Sequence, residues 1–141
     1  MTDQNSLKRF IEAQKSDYEL ALQQVRQGKK TGHWMWYIFP QIRGLGHSET
    51  SVYFAIRDMD EAREYFTHPV LGARLVEISN EILKLNIDDP VAIFGSVDSL
   101  KLKSSMTLFS LVEKASPVFQ LILDKYFNGK RDINTIRIAN I

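Results

Sequence analysis

Three polar side chains sit where helical spacing asks for apolar ones. On a first helix, Leu7, Phe10, Ile11, Tyr18, Leu22 and Val25 share one arc, and Gln14 falls near the middle of it when residues are projected at about 100° each. On a later helix, Leu102, Leu108, Phe109 and Val112 define the inner arc, with Lys101 and Ser105 projecting between them. An amide, an ammonium and a hydroxyl turned inward must each find a partner, because burying them unpaired is costly. Such a set reads either as the lining of an internal polar site or as a structural network, with Lys101 bonded to Asp98 or to helix-end carbonyls. Structural networks produce the same pattern, so the spacing alone does not choose.

The second concentration of chemistry is the run His33-Trp34-Met35-Trp36-Tyr37-Ile38-Phe39-Pro40-Gln41, which holds both tryptophans of the chain. Aromatic rings bury the most area per residue, and indole N–H and phenol O–H groups want partners when buried. The run therefore forms core or a pocket wall. No acidic residue lies between Glu19 and Glu49, whereas Arg26, Lys29, Lys30 and Arg43 do, and His33 and His47 flank the rings. Rings beside cations could stack on single-stranded nucleic acid, but five large side chains in succession fit a buried plug better than a platform. Gly44-Leu45-Gly46, between Arg43 and Ser48, could offer an anion-binding backbone nest. A dinucleotide fingerprint would need a third glycine and a preceding strand, so a plain turn is the simpler reading.

Other chemistry is weaker. His33, His47 and His68 with Glu49, Asp58 or Glu61 could surround a metal, but no two histidines have helix-face spacing, and no metal or cofactor is expected. His68 before Pro69 reads as a capping or packing residue. Ser104-Ser105-Met106-Thr107 near Lys101 invites a serine–lysine nucleophile, a chemistry that also needs an oxyanion hole. Helix hydroxyls more commonly bond backbone carbonyls. The chain contains no cysteine, which excludes disulfides and thiol nucleophiles.

The elements that position these residues are mostly helices. Asn5 or Ser6 starts the first helix, which Gly28 and Gly32 end. Trp34 to Phe39 is a short helix or plug limited by Pro40, and Gln41 to Ser48 a loop. Asp58 or Asp60 caps a short helix, and His68-Pro69 opens one carrying Leu71, Leu75, Ile78, Ile82 and Leu85. Asp98 begins a helix through about Glu113, Ser116-Pro117 begins another that stops at Asn128-Gly129, and Asp132 caps a last one. Ser51 to Ile56 and Val91 to Phe94 are the strand candidates.

With 141 residues, 44% hydrophobic and 25% charged, the chain has the length and composition of one globular domain. We expect a mainly α, single compact domain over residues 1–141, with about six to seven helices around the aromatic segment. A net charge of +1 gives no global reason to bind nucleic acid. The N-terminus lacks the order of a signal peptide, and no apolar run nears the roughly 20 residues that span a bilayer. A soluble, cytoplasmic protein away from membranes is the expectation.

These segments resemble a known family. The tryptophan–proline–glutamine run, Gly44-Leu45-Gly46-His47-Ser48, Glu61-Ala62, His68-Pro69-Val70-Leu71-Gly72-Ala73-Arg74-Leu75 and Phe94-Gly95…Asp98…Lys101…Ser104-Ser105-Met106-Thr107-Leu108-Phe109 are similar to the domain-of-unknown-function family 1810. The likeness runs from Phe10 to Thr135, with a departure at Thr31-Gly32, where a serine is expected. It implies a compact, mainly helical bacterial protein, brings no activity with it, and marks Gln14, Arg74, Lys101 and Ser105 as motif positions. A looser likeness joins a glycine–lysine, the tryptophan segment, Ile56…Glu61-Ala62 and a later glycine–aspartate region. It resembles the N-glycosidases of NAD and ADP-ribose metabolism, which implies a ligand class and transfers no catalytic residue.

The resulting expectation is a pocket for a small anionic, nucleotide- or ADP-ribose-like metabolite, where the aromatic segment, the glycine loop and the helix from Asp98 meet. Gln14, His33, Gln41, Arg43, Gly44, Gly46, Ser48, Arg74, Asp98, Lys101 and Ser105 would line it, with Trp34 and Trp36 as walls. For hydrolysis, Lys101 or Asp98 would move the proton, although the sequence assigns no enzyme class. The alternative is a protein-binding adaptor with an exposed patch at Trp34 or Phe39 and a purely structural interior.

Overall fold

A computed structural model describes residues 4–139, with side chains from residue 7 onward. Among the described residues eight helices follow in order: α1 (Gln4–Arg26), α2 (Met35–Ile38), α3 (Glu49–Tyr53), α4 (Met59–Thr67), α5 (Leu71–Lys84), α6 (Pro90–Ser110), α7 (Pro117–Phe127) and α8 (Ile133–Ala139). The mainly α expectation holds.

Local chemistry sets the boundaries. Ser48 caps α3 by accepting from the Ser51 amide, Asp58 caps α4 from the Glu61 amide, and Asp89 caps α6 from the Val91 amide with Pro90 in the first turn. His68 performs the corresponding task for α5, its Nδ1 accepting from the amides of Val70 at 3.1 Å and Leu71 at 3.2 Å. Asn128, left-handed at φ 56°, ends α7 and directs the Gly129 amide back to the Leu123 carbonyl. Asp132 caps α8 through the Thr135 amide.

Two sequence expectations are corrected. Neither strand candidate is a strand. Ser51 to Tyr53 is helical because the Ser48 cap nucleates α3, and Ile56 makes only an isolated parallel bridge to Ile42. Val91 to Phe94 is helical because Asp89 and Pro90 start α6 there. Asp98 therefore does not begin its helix. What breaks the apolar pattern ahead of it is Gly95, at φ 82° and ψ 167°, a conformation open essentially to glycine, which kinks α6 into two pieces.

The core is continuous and ring-rich. Phe10, Tyr65, Phe109 and Phe119 form a chain with successive centroids 5.1, 5.4 and 6.0 Å apart, joining α1, α4, α6 and α7. A second cluster joins Trp34 and Phe39 to Phe94 at 6.5 and 6.2 Å. Met35 and Ile38 of the short α2 and Phe39 after it thus lie in the interior, between α1 and the first piece of α6. No helix among the described residues is long and apolar enough to cross a membrane.

Candidate functional site

The aromatic segment is held from one side by Gln24, a buried amide on α1. Its Oε1 accepts from the Thr31 amide at 2.9 Å, the Gly32 amide at 3.0 Å and the Trp34 indole N–H at 2.9 Å. The loop after α1 is thereby folded onto Trp34, which is 1% exposed. Gly32 is needed for that approach, since a Cβ there would lie 2.8 Å from the indole ring. Sequence reasoning passed over Gln24, which lies at the edge of the α1 apolar arc rather than within it.

The same loop delivers Lys30. Its amide donates to the Ile93 carbonyl at 2.8 Å, and its ammonium donates to the Gly32 carbonyl and lies 5.1 Å from the Trp34 ring centroid. The ammonium pairs with Asp98 Oδ2 at 2.7 Å, with the lysine side chain only 7% exposed. Asp98 Oδ1 meets a second cation, Lys101, at 3.4 Å, and that ammonium sits 4.5 Å from the Trp36 centroid. One carboxylate is thus flanked by two ammonium groups, each beside an indole. The arrangement carries a surplus of one positive charge, and cation–π contacts of this kind contribute about 0.5–2 kcal/mol depending on desolvation. Lys30 belonged to the basic run in the sequence but carried no signal that it would reach α6.

One turn below Lys101 on α6, the Ser105 hydroxyl is fully buried and has no hydrogen-bond partner. Ser99, Ser104 and Ser110 on the same helix all donate to a carbonyl three or four residues back. Ser105 does not. The neighbouring hydroxyls serve the fold instead: Ser104 also donates to Asp132, and Thr107 Oγ1 accepts from the Asp132 amide at 2.9 Å, so this pair anchors α8. No hydrogen bond joins Lys101 to any of these serines, and a serine–lysine nucleophile is not assembled.

Trp36 is half-buried, and its other neighbours come from the glycine loop. A cleft of about 10 Å³ lies between Trp36, Gln41, Gly46 and Ser51, enough for a single water molecule. The junction of aromatic segment, glycine loop and α6 therefore exists, with Trp36 as its pivot, and among the described residues its cleft is too small for a metabolite. Arg43 is exposed, and its backbone pairs with Ile56 rather than with this cleft. Gly44 is exposed at φ 107°, and Ser48 is engaged with Ser51 as the α3 cap. His33 and His47 are both exposed.

Gln14 and Arg74 belong to a different cluster. Gln14 Nε2 donates to the Tyr37 carbonyl at 2.7 Å and the Tyr65 hydroxyl at 2.9 Å, while its Oε1 accepts from Arg74 at 3.3 Å. Arg74 also lies 5.0 Å from the Tyr18 ring centroid, and the Tyr18 hydroxyl donates to Glu77. Tyr37 donates to Asp17. Burial, and for Tyr18 and Tyr37 the adjoining carboxylate, pushes the Tyr18, Tyr37 and Tyr65 hydroxyls well above the ordinary phenol range. Every polar atom of Gln14 has an internal partner, so it ties α1 to α2, α4 and α5. No hydrogen bond connects it to Lys101 or Ser105.

Among the described residues no group of three histidines and carboxylates could hold a metal ion. Trp34 and Phe39 are buried, so the exposed patch expected there for an adaptor is not formed by them.

The family model described as "Protein of unknown function (DUF1810)" matches residues 4–139. The crystal structure of the conserved hypothetical protein Rv1873 from Mycobacterium tuberculosis is similar to this chain at 40% identity and a TM-score of 0.95, over 99% of each chain. No protein of curated function matches.

Proposed function

We propose that this chain, which belongs to the DUF1810 family, binds a small anionic metabolite, nucleotide- or ADP-ribose-like, at the Trp36–Lys101 edge of its aromatic segment. The observation that carries the reading is the unequal sharing of Asp98. Lys30 holds that carboxylate at 2.7 Å and is nearly enclosed, whereas Lys101 is at 3.4 Å with its side chain 22% exposed. An ammonium has three donors, and Asp98 is the only ion-pair partner of Lys101 among the described residues. Lys101 can therefore turn donors to a phosphate or carboxylate while Lys30 keeps Asp98 neutralised. The half-buried Trp36 ring supplies an apolar wall beside that charge, as a base or ribose requires. One turn further along α6 the buried Ser105 hydroxyl has no hydrogen-bond partner.

The test is calorimetric titration with inorganic pyrophosphate, AMP and ADP-ribose, using the wild-type chain and Lys101→Ala. Binding by at least one of the three, weakened about tenfold or more in the variant, is the expected outcome. Heat-silent titrations with all three into millimolar concentration, or equal binding by the folded variant, would reject the site.

A further inference from the structure

A second surface, on a neighbouring stripe of α6, has the character of a docking face. The three most exposed large apolar side chains of the described structure are Ile133 at 68%, Val97 at 66% and Leu100 at 63%. Val97, Leu100, Ser104 and Thr107 are spaced along one stripe of α6. The last two are covered, because Asp132 at the start of α8 bonds both of them. Leu100 and Val97, one and two turns earlier on the same stripe, are left open. α8 thus covers half of a helix face whose other half is apolar and bare.

The rim of that face is basic. Lys103, Lys130 and Arg131 surround an open hollow of about 500 Å³ whose apolar lining includes Ile133 and Ile136. The acid within it, Asp132, is turned inward by bonds from Ser104 and from the Thr135 amide and hydroxyl, and it offsets one of the three cations, so the rim keeps a surplus of two positive charges. No ring is among the residues lining the hollow, whereas binding to single-stranded nucleic acid draws on stacking platforms. Bare aliphatic side chains beside a cationic surplus match an amphipathic segment with apolar anchors and carboxylates.

We infer that the Val97–Leu100 stripe of α6 and the Lys103–Lys130–Arg131 rim together form a docking surface for an acidic amphipathic helix of a protein partner, laid along α6 as a continuation of α8. The surface adjoins the Trp36–Lys101 edge, since Val97 and Lys101 are four residues apart on one helix, but it uses other side chains and stands whether or not that edge binds a metabolite.

Fluorescence polarisation with two labelled peptides of about 14 residues tests it; this length gives marginal helices that can order on binding. The peptides share leucines at helical spacing and differ in carrying Glu or Lys at the polar positions. The Glu peptide should bind, weaken with added salt, and lose about tenfold or more in affinity both for Lys103→Gln/Lys130→Glu/Arg131→Glu and for Leu100→Glu. Lys15→Gln, which removes an exposed cation on α1, should leave it unchanged. Equal binding of the Lys peptide overturns the inference, as does no binding or indifference to the folded variants. A dT oligonucleotide that competes more tightly than the peptide would reassign the rim to nucleic acid. A concentration-dependent dimer abolished by Leu100→Glu would reassign the stripe to a second copy. Both outcomes overturn an acidic helix as occupant.

Discussion

Two polar clusters adjoin α2, one at Tyr37 and one at Trp36, and differ in how completely they are closed. On one side Gln14 uses every donor and acceptor it has, joining Tyr37, Tyr65 and Arg74 across helices far apart in sequence. On the other, Lys101 rests on Trp36 with one long ion pair, above a serine hydroxyl that bonds to nothing. Both clusters look alike as sequence, with polar residues on apolar faces. A satisfied network rigidifies a core, whereas an unpartnered buried group and a loosely held cation are what a fold retains when stability is not their purpose. Inward polarity alone therefore marks nothing. What separates the two sides is the balance of partners.

The largest effect that could break this comparison is alkaline. The tyrosines around Gln14 are kept protonated in the folded chain, and Tyr126 on α7 is pushed up to about 12 from 10.0 by burial. Above pH 10 the unfolded chain releases phenol protons that the folded chain keeps, so stability is intact below pH 10 and falls as the pH rises from there. Denaturant unfolding between neutral pH and about pH 12 should show that fall. Tyr18→Phe should be less stable at pH 7 yet show a shallower alkaline slope. A flat profile, or an unchanged slope in the variant, would mean that these hydroxyls are not held as described.

Next in size is Gln14→Ala. Removing the amide strands the Tyr65 hydroxyl and one face of Arg74 in the interior, at a cost of about 3 kcal/mol. A shift of the urea midpoint with unchanged slope would measure it. A loss below about 1 kcal/mol would put the Gln14 side on the same footing as the Lys101 side.

The smallest effect has the opposite sign. Ser105→Ala removes a buried hydroxyl that has no partner, so stability should be unchanged or rise by up to about 1 kcal/mol, as thermal unfolding would show. A clear destabilisation would mean that the hydroxyl is engaged in solution, and the contrast between the clusters would shrink.

Much of this was legible in the sequence, and the reasons for the remainder are local. Projection of α1 and α6 found Gln14, Lys101 and Ser105 because helical periodicity reports orientation directly. It could not say which of them closes on partners, since Tyr65 and Arg74 lie 51 and 60 residues from Gln14. Caps at Asp58, Ser116 and Asp132 were readable from residue type. The Pro90–Phe94 piece of α6 was not, because Gly95 turns the chain and interrupts the apolar stripe that defines a helix. Lys30 was missed because the loop between α1 and α2 has no period, and Gln24 because it sits at the edge of the α1 arc and makes its bonds to that loop. Gln41 and Gly46 line the small cleft beside Trp36, whereas Arg43 and Gly44 serve the surface and the bridge to Ile56.

The most direct test of the central claim uses the fact that the chain has two tryptophans, giving two indole N–H resonances in a ¹⁵N-labelled sample. Trp34 is buried and bonded to Gln24, whereas Trp36 sits half-buried beneath Lys101. Titration with ADP-ribose or pyrophosphate should move the Trp36 resonance, leave that of Trp34 in place, and lose its effect in Lys101→Ala. Two stationary indole signals, or a Trp36 shift that survives in Lys101→Ala, would contradict an anion site at this edge.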